Sequence, residues 1–123
     1  MKDCPFCHID TEKIICESNY WFALYDEYPV SKGHTLLIIK RHVSSYFDLT
    51  NDEIIEINEN IKQIKKILDN EYFPNGYNIG VNCGSAAGQT VPHCHIHIIP
   101  RYNNDVNDPT GGVRGVIPNK QKY

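Results

Sequence analysis

Residues 93–99 read His93-Cys94-His95-Ile96-His97-Ile98-Ile99, inside the run PHCHIHIIPR at 92–101. Successive side chains of a strand point to opposite faces. A strand here sets His93, His95 and His97 on one face and Cys94, Ile96 and Ile98 on the other. The second set is a plain core face. The first is not, because each buried imidazole needs hydrogen-bond partners. One strand histidine is usually a satisfied polar residue. Three in alternation point to chemistry.

The rest of the chain fits one domain around this strand. Its 123 residues are 41% hydrophobic and 22% charged, with a formal net charge of -3. That length supports one hydrophobic core. The charge excludes a nucleic-acid binder that works by bulk positive potential, but leaves room for a local phosphate site. MKDCPFCHID at the N-terminus has no apolar run resembling a signal peptide, and no stretch approaches the roughly 20 apolar residues that cross a bilayer. A cytoplasmic protein is expected, with neither a membrane nor a nucleic-acid polymer as partner. Five cysteines, an odd number, argue against a closed disulfide framework.

Strand signals fall at Tyr20–Tyr25 (YWFALY) and Thr35–Ile39 (TLLII), separated by turn residues that include Ser31-Lys32-Gly33. Thr50-Asn51-Asp52-Glu53 is a capping box. Behind it Ile54, Ile57, Ile61, Ile64 and Leu68 form one helical stripe, expected to face the core. Pro74-Asn75-Gly76 is a turn, Tyr77–Asn82 a strand, and 83–91 (CGSAAGQTV) a loop of small residues before the histidine strand. Strands, helix, strands give an α+β fold with a largely antiparallel sheet.

Three chemistries suit the histidine face. A metal could take two ligands from one HxH strand. A TIM-barrel hydrolase of that type needs typically about 250 residues, and a cupin-type site wants a downstream Glu where Ile98-Ile99-Pro100-Arg101-Tyr102 stands. A second reading is nucleophilic catalysis by one histidine. The third is a pH-sensing or binding surface. The upstream loop favours the second. Gly84-Ser85-Ala86-Ala87-Gly88-Gln89-Thr90 offers hydroxyls, an amide and backbone N–H groups, a composition that cradles phosphate without net positive charge.

His93-Cys94-His95-Ile96-His97-Ile98-Ile99 resembles the signature of the histidine triad (HIT) proteins, His-φ-His-φ-His-φ-φ with φ apolar, and Cys94 is its one mild departure. The resemblance extends over roughly residues 4–101. It includes Asp26, Pro29 and Gly33-His34, the apolar strand to Lys40-Arg41-His42, Asn82-x-Gly84, Gly88-Gln89-Thr90-Val91 and Pro100-Arg101. It implies a HIT-like fold in a single domain over 1–123, with a five-stranded sheet, one long helix and a short one. It also implies a homodimer that hydrolyses or transfers nucleotides at the α-phosphorus, with no metal needed for the chemistry. The substrates it implies are dinucleoside polyphosphates, such as diadenosine tetraphosphate, or nucleoside phosphoramidates. By the same resemblance His95 is the nucleophile, forming a nucleotidyl-histidine. His97 contacts the phosphate and His93 orients the site. Asn82, Gln89 and Thr90 contact phosphate or ribose, Asp26 binds ribose, His34 stands near the site and Leu24 lines the base pocket. A non-catalytic nucleotide-binding module and a structural zinc module are the alternatives.

Cys4-Pro5-Phe6-Cys7 is a C-x2-C pair, shared by zinc knuckles and redox motifs. Zinc needs two more ligands, and His8 is a local candidate. Many bacterial HIT proteins resemble this chain in having such a pair. Their zinc is completed at the positions of His42 and His93, which implies a structural zinc on Cys4, Cys7, His42 and His93 with residues 1–12 as the zinc-binding segment. The tail, 103–123, is rich in Gly and Pro around Arg114. A guanidinium there can form a bidentate phosphate contact, and Arg114 is expected to bind the distal phosphate or second nucleoside.

Overall fold

The computed structural model describes residues 3–123; Met1 and Lys2, the start of the expected 1–12 segment, lie outside the described residues. Five strands and one α-helix make the frame: β1 (Cys16–Glu17), β2 (Trp21–Tyr25), β3 (Thr35–Ile39), α1 (Asn51–Tyr72), β4 (Gly76–Gly80) and β5 (His95–Arg101). The sheet order is β1-β2-β3-β5-β4 and every pairing is antiparallel. The expected short second helix is realised as single 3-10 turns, among them Ser85–Ala87 in the small-residue loop.

Register explains how the two faces differ. Leu24 pairs with Leu36 and Leu36 with His97, while Phe22 pairs with Ile38 and Ile38 with His95. The rows between them, Ala23–Leu37–Ile96 and Thr35–Ile98, lie on the opposite face. Trp21, Ala23, Leu37, Ile39, Cys94, Ile96 and Ile98 pack with Ile64 and Leu68 of α1 into one core. The apolar half of the histidine strand thus faces the core as expected. The strand itself runs from residue 95 to 101, not 93 to 99. His93 lies just before it, fully buried.

The capping box forms as the sequence indicates. Glu53 N–H donates to Thr50 Oγ1, and Thr50 N–H to Glu53 Oε1. The stripe needs one correction: Ile54 is 37% exposed, whereas Glu53 and Asn60 are buried. A pattern spaced by three and four residues leaves the stripe's edge free by one position. Here Glu53 takes the inward place because Arg41 binds its carboxylate through two nitrogens, at 2.7 and 2.9 Å, and its carbonyl accepts from Trp21 Nε1. Gly33 closes the β2–β3 turn at φ +87, with the Tyr72 ring 2.9 Å from where a Cβ would stand. Only glycine meets both conditions without strain.

Residues 103–123 are not extended chain. They fold on themselves through turns at Gly112–Val116 and Pro118–Lys120, closed by a Lys122–Asp108 ion pair.

Candidate active site and metal centre

A cleft of about 760 Å³ opens over the histidine face, within the size range of small-molecule sites. Leu24, Asp26, Asn82, Thr90, His95 and His97 line it. The sheet register brings in Leu24, His95 and His97. The β2–β3 turn brings Asp26, and the loop after β4 brings Asn82 and Thr90. His34 lies behind His97, 3% exposed. Gln89 and Arg114 are not among the residues that line the cleft. Gln89 braces the loop with its side chain. The Arg114 guanidinium donates to the carbonyls of Lys120 and Gln121 and lies 4.8 Å over the Tyr123 ring.

Each imidazole has a neighbour that dictates its tautomer. His95 Nδ1 lies 2.8 Å from the His93 carbonyl oxygen. A carbonyl can only accept, so Nδ1 carries the proton and Nε2 keeps a free lone pair. His93 Nε2 is 2.6 Å from the Ile39 carbonyl, so the lone pair of His93 is on Nδ1. The Val30 N–H donates to His34 Nδ1 at 3.1 Å, which puts the His34 proton on Nε2. That proton is donated to His97 Nδ1 at 3.0 Å, with the Asp26 carboxylate oxygen Oδ2 lying 3.4 Å to the side. When His97 Nδ1 accepts it, His97 presents Nε2–H as a donor. Asp26, His34 and His97 also cluster closely enough to suggest a metal, but a protonated Nε2 on His34 cannot be a ligand. The cluster is a hydrogen-bonded His34–His97 pair with the Asp26 carboxylate beside it.

Burial lowers the pKa of His34 and His97 below the ordinary histidine value. Asp26 opposes this at both residues, while His95 and His34 add to it at His97. His93 is lowered too, chiefly by burial. These three rings are therefore neutral near pH 7, the form that the hydrogen bonds require.

A second cluster lies at the end of the strand. The sulfurs of Cys4 and Cys7 and one nitrogen each from His42 and His93 all fall within 4.8 Å of one another. The shorter separations are 3.2 Å for Cys7 Sγ to His42 Nδ1, 3.2 Å between the two Nδ1 atoms, and 3.4 Å for Cys4 Sγ to His93 Nδ1. Zinc bonds of about 2.0–2.3 Å make tetrahedral edges of about 3.3–3.8 Å. The separations fit a Cys2His2 site, and the Ile39 carbonyl orients His93 as an outer partner should. His8, the local alternative, is not in the cluster; it lines the cleft instead.

Sequence reasoning missed Phe6. From inside the C-x2-C turn its ring meets His95 edge-on, with centroids 5.0 Å apart, and it helps line the cleft. It also missed Val30 and Ile39, which act through backbone atoms that carry no residue-type signal.

Comparison with known proteins agrees with this geometry. The HIT domain family matches residues 9–104. An uncharacterized HIT-like protein of Methanocaldococcus jannaschii is 38% identical over 106 residues, covering 83% of this chain and 81% of that one. An AP-4-A phosphorylase of Mycobacterium tuberculosis is 33% identical over 108 residues, 85% of this chain but only 55% of the relative. A zinc-bound histidine triad protein of Mycobacterium smegmatis superposes with a TM-score of 0.77 at 30% identity, over 87% of this chain and 81% of that one. A family match over most of the chain, on a sheet that sets His95 and His97 in register with His93 just before them, leaves one assignment: the chain belongs to the HIT domain family.

Proposed function

We propose that the protein is a nucleotide hydrolase or transferase acting at the α-phosphorus, with His95 as nucleophile. The observation that carries this reading is the His95 Nδ1 hydrogen bond to the His93 carbonyl, which leaves Nε2 unprotonated in a nucleotide-sized cleft. Nε2 attacks phosphorus, and the bond from phosphorus to the leaving group breaks. The leaving group takes the proton of His97 Nε2. Water then attacks phosphorus and gives a proton back to His97 Nε2 as the phosphorus–nitrogen bond breaks, releasing a nucleoside monophosphate and restoring both imidazoles. Asp26 holds ribose hydroxyls, Leu24 and Phe6 flank the base, and Asn82 and Thr90 contact the phosphates. The substrates are dinucleoside polyphosphates or nucleoside phosphoramidates; the name of the M. tuberculosis relative favours the former.

Zinc on Cys4, Cys7, His42 and His93 supplies rigidity, holding the N-terminal segment against the histidine strand. The molecule is a homodimer. Arg114 is held by its own tail within one chain, so a contact with substrate requires the cleft of a second copy. Trapping with diadenosine tetraphosphate or an adenosine phosphoramidate, followed by peptide mass spectrometry, tests the nucleophile. A nucleotidyl adduct on His95 is expected. Turnover without an adduct, or retained by His95→Ala, overturns the assignment. Tight nucleotide binding without turnover on either class would indicate the non-catalytic module.

A further inference from the structure

We propose that Gln89 is a positioning residue that ties the phosphate loop to the metal-ligand segment, so that the loop takes its shape from the zinc site. The proposal rests on the zinc and phosphate-loop readings above, and assigns Gln89 a role other than direct phosphate contact. Its amide is already committed. Oε1 accepts from Gly84 N–H at 2.9 Å, and Nε2 donates to the carbonyls of Ser44 at 2.9 Å and Val91 at 3.1 Å.

Residues 84–88 are exposed, so apolar burial contributes little to their order. Their backbone bonds close the loop on itself: Ala87 and Gln89 donate to Gly84 O, and Gly88 donates to Ser85 O. Among the described residues, the Gln89–Ser44 bond is the one hydrogen bond that ties 84–90 to a distant part of the chain.

The far end of that bond is anchored through the two residues before it. His42 belongs to the metal cluster. The Val43 carbonyl accepts from Cys94 N–H at 2.7 Å. Ser44 then receives Gln89. Cys94 directly follows His93, the other imidazole of the cluster, so a metal joining His42 to His93 clamps both sides of the same short ladder. Loosening the cluster frees residues 42–44, and Gln89 passes that freedom to the loop.

The test is hydrogen exchange on the ligand-free, zinc-loaded chain, comparing wild type with Gln89→Leu and Gln89→Glu. The glutamate variant keeps the acceptor for Gly84 but cannot donate to Ser44. Both variants are expected to exchange the 84–89 amides about tenfold faster while keeping their zinc. AMP affinity falls about tenfold in both, with adenosine affinity unchanged, because the adenosine contacts lie outside the loop. Chelating the zinc speeds exchange of the same amides in wild type and adds nothing further in the variants. Unchanged exchange in the zinc-loaded variants overturns the tether, and weakened AMP binding alongside it would make Gln89 a direct phosphate contact. Wild-type loop exchange that is the same with and without a stoichiometric zinc overturns the coupling to the metal. Absence of bound zinc from the purified protein is a failure of the zinc reading, and the variants still decide the tether.

Discussion

Each ring of the histidine face has one nitrogen whose protonation a neighbour sets, and function follows from what the other nitrogen is left to do. The His93 carbonyl leaves Nε2 of His95 with the free lone pair that the proposed nucleophile needs, and the Val30 N–H, acting through His34, makes His97 a donor. His34→Gln is therefore expected to lower kcat about tenfold or more with little change in KM, since it removes the group that sets the His97 tautomer. Steady-state kinetics on a saturable substrate check this. His95→Ala is expected to lower turnover about a thousandfold or more with an unchanged far-UV spectrum. The buried rings also predict a pH effect on stability. Folding depresses the His34 and His97 pKa below the ordinary 6.5. The unfolded chain therefore takes up protons first as pH falls, and stability is lost from about 6.5 downward until the folded rings protonate. Thermal midpoints between pH 8 and 5 should fall on the acid side in wild type. His34→Gln should reduce that slope; an identical slope would remove His34 from the account.

At the scale of elements, the start of α1 carries more than a helix cap. Thr50→Ala removes one side-chain acceptor and should cost about 1 kcal/mol. Glu53→Ala also strips the partner from Arg41 and from the Thr50 N–H. Arg41 is 48% exposed, so water recovers part of that loss. A cost of about 2–3 kcal/mol is expected, larger than that of Thr50→Ala, read from urea midpoints at constant slope. The box was legible because it is a four-residue pattern. The placement of Ile54 was not, because sequence spacing alone does not reveal that Arg41 and Trp21 would draw Glu53 inward. The Thr35–Ile39 strand was read to the residue, bounded by a turn glycine and charges. The histidine strand was read two residues early, because Val43 and Ile39, remote in sequence, decide where its ladder begins.

Across the whole molecule, the candidate zinc cluster brings together residues 89 positions apart, Cys4 and His93. A ligand that binds only the folded state stabilises it by mass action. Removing zinc with a chelator is thus expected to lower the thermal midpoint by about 10 °C or more, reversed by adding zinc back. Scanning calorimetry with metal analysis checks it, and an unchanged midpoint would make the cluster incidental. Among the described residues no helix is long and apolar enough to cross a membrane, consistent with the absence of a long apolar run in the sequence. The sequence by itself determined the alternation of histidine and core faces, the helix cap, and the residue types available for phosphate and metal, because strand period, capping and donor chemistry are local properties. Tertiary structure alone decided which imidazole nitrogen is free, that Gln89 braces the loop, and that Arg114 stays with its own tail, and it brought together the Cys4, Cys7, His42 and His93 set that the family resemblance implied. Those outcomes depend on backbone carbonyls and amides brought together from distant positions, and a backbone atom has the same chemistry whatever residue carries it.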